Sequence, residues 1–548
     1  MAQERVVSRN LSFGKLAAFC MAFYLVMVLA MVVRIGQETG GHFTYALDDP
    51  YIHLALAENL ARGHYGLNMG DFSSPSSSIL WPFLLVPFAG TALHPYLPLI
   101  WNLLFGSLAA VLIAWLIDRY PPQRDEHGQM PWWKQAITGV FLILAANLPS
   151  LTLVGMEHIL QVLLAICCAI GVMEALQGRA IPAWCLAAAV LSPLVRYEGL
   201  GLTAAVCIAL WGQRQSRKAF AVLGLSLAPL AAFSIFLHHV GLPFLPMSVL
   251  LKGNMYQDPN VVRRAYHLAR EGMLAAVLEP IRYSMVVLLL TFAGLAAKAQ
   301  TRERRIIFGG VAFFAAAHLL VGRFGWFYRY EDYALIFLTL IAIEVLSEGR
   351  AFLFGFYVLG LMCIASPYII AIRRTPTAAS EVYYQQYQMH RFVKDFYHGN
   401  FAVNDIGWTS YQHDPSVYVL DVYGLASPEA SRQQNKSAAW MDGVVERHDV
   451  NLAMIYPNWF DHIPGDWLAE ASLCMPHPPT VVGGRCVVFY STRRTADATI
   501  RADLQRFAST VPAESGFAMA KGDKNTIGTQ QLGLGMVSPD AGSPQGGP

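Results

Sequence analysis

Charge is what this chain has least of. Of its 548 residues only 14% are Asp, Glu, Lys or Arg, while 55% are hydrophobic. Soluble globular chains carry about 25% charged residues, so the shortage excludes an ordinary soluble protein. A net charge of +2 leaves no electrostatic footprint for a nucleic-acid partner. No Cys/His spacing of the metal-binding kind occurs, and no internal repeat is visible. Of the eight cysteines, Cys20, Cys167, Cys168, Cys185, Cys207 and Cys363 lie in apolar runs and read as small hydrophobes. Cys474 and Cys486 stand in a polar region, where an oxidising compartment would allow a disulfide.

Long apolar runs are what the chain has instead. They predict a polytopic α-helical membrane protein with about 11 transmembrane helices, near 17–34, 99–118, 136–152, 158–176, 181–195, 199–213, 219–240, 281–298, 306–322, 331–346 and 351–371. The first run, Leu16 to Val33, is long for a signal sequence and meets Arg34-Ile35-Gly36 rather than a small-residue cleavage site, so it reads as a retained span. Basic clusters at Arg5/Arg9/Lys15, Arg119/Arg124/Lys134, Arg214/Arg217/Lys218 and Lys298/Arg302/Arg304/Arg305 are expected on the cytoplasmic side. That parity holds only if the apolar stretch 79–92 does not cross. Pro82 and Pro87 interrupt it, and an internal proline costs a helix about 3 kcal/mol. The N-terminus is then inside and the C-terminal region outside.

This topology gathers polar residues at the outer ends of the spans: Asp48, Asp49, His53, Glu157, His158, Arg196, Glu198, Lys252, Arg323, Arg329, Glu331 and Asp332. Charge at a membrane boundary is costly and calls for a function. Asp49-Pro50 has the form of a helix start, with Asp as N-cap and Pro at N1. Tyr51 to Arg62 then reads as a short amphipathic helix with Glu58 and Arg62 one turn apart. Asp48, ahead of the cap, is left to face a pocket as a general base or to hold a cation. His53 is as readily an interfacial polar residue as a site member. Gly63 to Asn68 and Ser73 to Ser78 read as polar turns. Arg196 can close a turn by pairing with Glu157 or Glu198, or, with Lys252, Arg323 and Arg329, meet a phosphate.

Residues 375–500 read as an α/β domain outside the membrane, with strands at Phe401–Val403, 417–420, 452–456 and 487–490 and a helix over 437–448. Residues 510–548, rich in Gly, Ser, Pro, Gln and Thr, read as a disordered tail.

Taken in order, these segments resemble the GT-C glycosyltransferases, polytopic enzymes that use polyprenyl-phosphate sugars. Asp48-Asp49-Pro50-Tyr51-Ile52 followed by Ala57-Glu58-Asn59-Leu60-Ala61-Arg62-Gly63 is similar to a segment of the bacterial branch that includes the mycobacterial terminal arabinofuranosyltransferases. Ser74-Pro75, Gly155-Met156-Glu157, Arg196-Tyr197-Glu198-Gly199, Leu245-Pro246 to Lys252, Asn404-Asp405-Ile406-Gly407 and Asp421 to Pro428 follow the same order. Arg-Tyr-Glu stands where that branch often has Arg-Pro-Glu. The resemblance implies a membrane module over 1–374, with a catalytic first outer loop at 35–98, and an outer domain that caps the site. It implies inverting transfer from a polyprenyl-phosphate sugar to an envelope glycan or lipid acceptor at the outer face of a bacterial plasma membrane. Asp48 or Asp49 would be the base, and a divalent cation (Mg or Mn) would assist in some members. A lipid-linked sugar flippase is the rival reading. It would favour inverted repeats and midplane charge.

Overall fold

A computed structural model describes residues 2–121, 130–252, 261–347, 354–433, 435–493 and 495–520. Among these, eight helices are long and apolar enough to cross a membrane: Phe13–Glu38, His94–Arg119, Trp132–Val154, His158–Leu176, Ser216–His239, Pro280–Lys298, Arg302–Val321 and Phe354–Asp395. Three further segments expected to span form shorter helices, Ala183–Val195, Leu200–Gly212 and Asp332–Ser347. The stretch 79–92 contributes only the six-residue helix Leu80–Leu85, too short to cross.

Side-chain pattern explains how the bundle is layered. His158–Leu176 is apolar all round and buried along its whole length, so it forms the bundle's centre. Helices at the rim show one apolar face outward instead. Leu25, Leu29 and Val33 on one, and Ile100, Leu104 and Leu108 on another, recur every four residues and are exposed. Such stripes suit contact with lipid chains.

The last long helix, Phe354–Tyr384, continues past a break at Gln385 into Gln386–Asp395 and carries the chain into a six-stranded sheet. Its strands are β1 Phe401–Val403, β2 Val419–Asp421, β3 Leu452–Ile455, β4 Leu468–Cys474, β5 Cys486–Ser491 and β6 Phe517–Met519, in the order β2-β1-β3-β5-β4-β6. β1 runs parallel to β2 and β3, and the remaining pairs are antiparallel. β1 and β3 are wholly buried, as central parallel strands require.

Three sequence expectations need correction. Residues 510–520 are not tail, because β6 pairs with β4 there; residues 521–548 lie outside the described part. Strand β4 was not foreseen. Its small residues and Glu470 break the apolar alternation, and Glu470 is buried against Arg501 at 2.9 Å. The helix after Asp48 is not amphipathic: Asp49–Ala61 is buried on all sides nearly to its end. Glu58 accepts from the Gln412 backbone (3.2 Å), while Arg62 donates to Asn59 (2.8 Å). Cys474 and Cys486 face each other across β4 and β5 and form a disulfide.

Candidate active site between the loop after the first long helix and the sheet

The loop after the first long helix is joined to the sheet domain at several points. Asn68 brackets the edge of β2, its Nδ2 donating to Val419 O (3.0 Å) and its Oδ1 accepting from Val419 N (2.9 Å). Tyr418 donates its hydroxyl to Asp71 (2.7 Å). Tyr51 stacks on Trp408 with ring centroids 3.8 Å apart. The polar turns are thus docking elements, and Ser74 likewise accepts from the Met247 backbone at 3.0 Å.

Asp48 is the most deeply committed of these contacts. Its two carboxylate oxygens accept the backbone N–H groups of Gly407 (2.8 Å) and Trp408 (2.9 Å). Gly407 permits this approach, because a Cβ there would lie 2.2 Å from the Asp48 Cγ. The helix begins at Asp49, so Asp48 occupies the N-cap position, but its side chain makes no capping bond. The roles expected from Asp49-Pro50 are therefore displaced by one residue. Asp48 satisfies the start of another short helix, Gly407–Ser410, and Asp49 pairs elsewhere.

Asp49 meets Arg329 at 2.6 Å, with the guanidinium fully buried. Arg329 reaches this position from an unusual turn. Gly325, Trp326, Phe327 and Tyr328 have φ of 78°, 42°, 62° and 56°, a left-handed turn closed by Arg329 N donating to Gly325 O (3.3 Å). Three aromatic residues in that region cost about 1–2 kcal/mol each. Glu331 ties the start of the turn by accepting from Gly325 N at 3.0 Å.

A third carboxylate completes the group. Asp405, at the C-terminal end of β1, accepts from Gln386 (3.0 Å) and lies 3.5 Å from the Tyr456 hydroxyl. Asp48, Asp49 and Asp405 line one small cavity of about 20 Å³ with Trp326, Gln386, Val482 and Gly483. Burial, reinforced by the Asp405 charge, raises Asp48 well above the usual carboxylate range. Burial also raises Asp405, to about 6, with the Asp49 charge adding to it. Sequence reasoning did not select Asp405 as a site residue. Its signal was the segment Asn404-Asp405-Ile406-Gly407, whose Asn404 also accepts from Tyr456 N (3.1 Å) and holds the ends of β1 and β3 together.

The remaining candidates are held in different ways. Arg196 is forked between Glu157 (2.8 Å) and Glu198 (3.0 Å) and donates to Ser77 (3.3 Å), which is the turn-closing pair the sequence allowed. His53 bonds Ser76 (3.1 Å) and lies 3.9 Å from Glu157. Arg196, Arg323 and Arg329 all surround the Tyr330 ring, at 5.3, 5.9 and 5.0 Å from its centre. Arg323 is partly exposed. Lys252 ends the helix Met247–Lys252, and its side chain lies outside the described part. The donor set does not fit a divalent cation. Asp49 is taken by Arg329, and no three His, Cys, Asp or Glu among the described residues form a cation cluster.

Comparison with known proteins gives three results. A domain-of-unknown-function model, DUF8728, matches residues 372–490, from the last long helix to β5. No curated protein matches the chain. Among solved structures, the chain is similar to the oligosaccharyltransferase of Archaeoglobus fulgidus in its apo form, at 10% identity and TM-score 0.43, over 86% of this chain and 74% of that one. It is also similar to the archaeal oligosaccharyltransferase AglB of the same organism, in complex with an inhibitory peptide and a dolichol-phosphate, at 11% identity and TM-score 0.41, over 86% and 74%.

Proposed function

We propose that this chain is a multi-pass membrane glycosyltransferase that moves a sugar from a polyprenyl-phosphate donor to an envelope glycan or lipid acceptor, with inversion, on the extracytoplasmic face. The observation that carries the reading is the cavity where Asp48, Asp49 and Asp405 converge beside the Asp49–Arg329 pair. Buried carboxylates held together raise each other's proton affinity, which suits a base near neutral pH.

Asp48 is the better base of the adjacent two. Asp49 is engaged by Arg329 at 2.6 Å, whereas Asp48 faces the charge of Asp405. In the reaction the acceptor oxygen bonds to the anomeric carbon and its proton passes to Asp48. The bond from that carbon to the phosphate oxygen breaks, and the electron pair leaves on the phosphate. Attack from the face opposite the phosphate inverts the centre. The partly exposed Arg323 stands best to meet the phosphate charge, beside the Arg329–Asp49 pair, with Lys252 as a further cation. Arg196, already held by two glutamates, positions the loop that carries Glu198. A cation is not required by this scheme.

The test is transfer by the purified full-length protein in nanodiscs, with labelled polyprenyl-phosphate sugars as donors and envelope glycans as acceptors. Formation of a new glycosidic bond supports the reading. Movement of donor across the bilayer with no bond formed would replace it with the flippase reading. Mass analysis of envelope glycans from a deletion strain would name the missing sugar.

A further inference from the structure

The three parallel strands β2, β1 and β3 end on the side of the sheet where the carboxylate cavity lies, and their C-terminal ends carry an aromatic corner. After β2 comes Tyr423, and after β3 come Tyr456 and Trp459. The Tyr423 and Trp459 rings meet edge to face, with centroids 5.3 Å apart and planes at 64°. Tyr456 backs Trp459 at 5.4 Å. Tyr423 and Trp459 are half-buried and Tyr456 is buried, so the first two present the open faces.

The corner is held in place by its surroundings. Asp421 accepts the backbone N–H groups of Tyr423 (2.9 Å), Gly424 (3.0 Å) and Ala426 (2.6 Å), which fixes the turn. Gly424 has φ 107°, and a Cβ there would lie 2.6 Å from Ser431 N. Trp459 donates its indole N–H to Gly483 O at 2.8 Å. Gly483 is also a wall of the carboxylate cavity, so corner and cavity share a boundary.

In open sheets, ligands bind beyond the carboxyl ends of parallel strands where connections diverge. Here the chain leaves β1 for β2 on one side, and β3 lies on the other. We propose that the Tyr423–Trp459 corner is the acceptor subsite, taking a neutral sugar ring of the glycan whose hydroxyl enters the carboxylate cavity. This rests on the glycosyltransferase reading and names its acceptor class. Two ring faces set at an angle offer apolar contact to the C–H faces of a sugar. The Lys436 ammonium, 5.7 Å from the Tyr423 ring centre, and the exposed Asn458 amide supply donors at the rim.

The test measures binding apart from chemistry. Saturation-transfer NMR and tryptophan fluorescence are recorded on the full-length protein in nanodiscs, with oligosaccharides released by mild acid from the cell's own envelope polysaccharide as probe. Trp459→Ala is expected to weaken binding about tenfold and Trp459→Phe less than about threefold, since an aromatic pair contributes about 0.5–1.5 kcal/mol beyond its area. Tyr423→Ala, which leaves the Trp459 bond to Gly483 in place, is expected to weaken it similarly and keeps the test valid if Trp459→Ala misfolds. In transfer, both alanine variants should raise the acceptor KM more than they change kcat. Unchanged binding in a folded Tyr423→Ala protein, or no binding of the probe by the wild type, overturns the proposal. Failure of the wild type to cleave any polyprenyl-phosphate sugar would count against the enzyme reading instead, and leaves the binding result to stand by itself.

Discussion

Asp48 and Gly407, 359 positions apart in the chain, meet through a 2.8 Å hydrogen bond from the glycine N–H to the aspartate carboxylate. The bond joins the start of the helix Asp49–Ala61 to the start of a short helix in the sheet domain. It fixes the seam in which the candidate site lies. A methyl group on residue 407 would fall 2.2 Å from the Asp48 Cγ, against backbone and carboxylate that are both buried. Gly407→Ala should therefore part the seam, lowering stability by about 1–3 kcal/mol as overpacking does. The expected readouts are a lower melting temperature in detergent and faster protease cleavage near the seam. A melting curve that overlays the wild type would show that the contact is slack.

The role of Asp48 in chemistry is separable from its role in docking. Asp48→Asn keeps the size of the side chain and one of the two acceptor oxygens, so the fold should survive with a modestly lower melting temperature. Removing a general base costs about 10²–10⁴ in rate. Transfer by Asp48→Asn should fall by that factor, with Asp49→Asn as the comparison. Retention of more than about a tenth of wild-type activity by Asp48→Asn, with loss in Asp49→Asn, would move the base to Asp49.

Arg329 offers a test of the ion pair. Removing one partner of a buried pair leaves an uncompensated charge and costs about 3–5 kcal/mol, while replacing both with apolar groups is often nearly neutral. Arg329→Met should accordingly destabilise more than the double variant Arg329→Met/Asp49→Leu. The pair also anchors the left-handed turn that brings Trp326 to the cavity. Equal melting temperatures for the single and double variants would mean that Asp49 finds another partner when Arg329 is lost.

How much of this was legible in the sequence depends on whether the signal was local. The apolar runs, the non-spanning stretch with Pro82 and Pro87, and the strands β1, β3 and β5 follow from hydrophobic pattern and breakers. The acidic pair Asp48-Asp49 stood out because charge is rare in this chain. Its division of labour was not legible, because the partner that decides it, the Gly407 and Trp408 N–H pair, lies in another domain. Asp405 was hidden for the same reason: a carboxylate after a strand is ordinary until the fold places it beside two others. The turn Gly325–Tyr328 is invisible to propensity, since aromatic residues disfavour the left-handed region and only tertiary contacts hold them there. Strand β4 lacked the apolar alternation that marks β-structure.

The last prediction concerns acid. Burial and the Asp49 charge raise Asp405 to about 6 in the folded protein, against about 3.9 for an unfolded aspartate. Between those two values the folded state binds more protons than the unfolded state, so the contribution of Asp405 to stability decreases as pH rises. It is fully present below pH 4, is lost through the interval from about 4 to about 6, and is absent above. Asp48, raised in the same direction by burial and the Asp405 charge, acts with the same sign. Carboxylates held low by cations elsewhere, such as Glu429 beside Arg447 and His448, act in the opposite sense, so the whole-protein curve mixes both. The clean quantity is the difference between wild type and Asp405→Asn, which cannot titrate at that position. Melting temperatures of the two, measured in detergent from pH 4 to 8, should diverge steadily between pH 4 and about 6 and run parallel above it. The wild type should lose ground to the variant as pH rises. Curves that stay parallel throughout, or a wild type that gains on the variant, would show that Asp405 is not held in a desolvated, like-charged site.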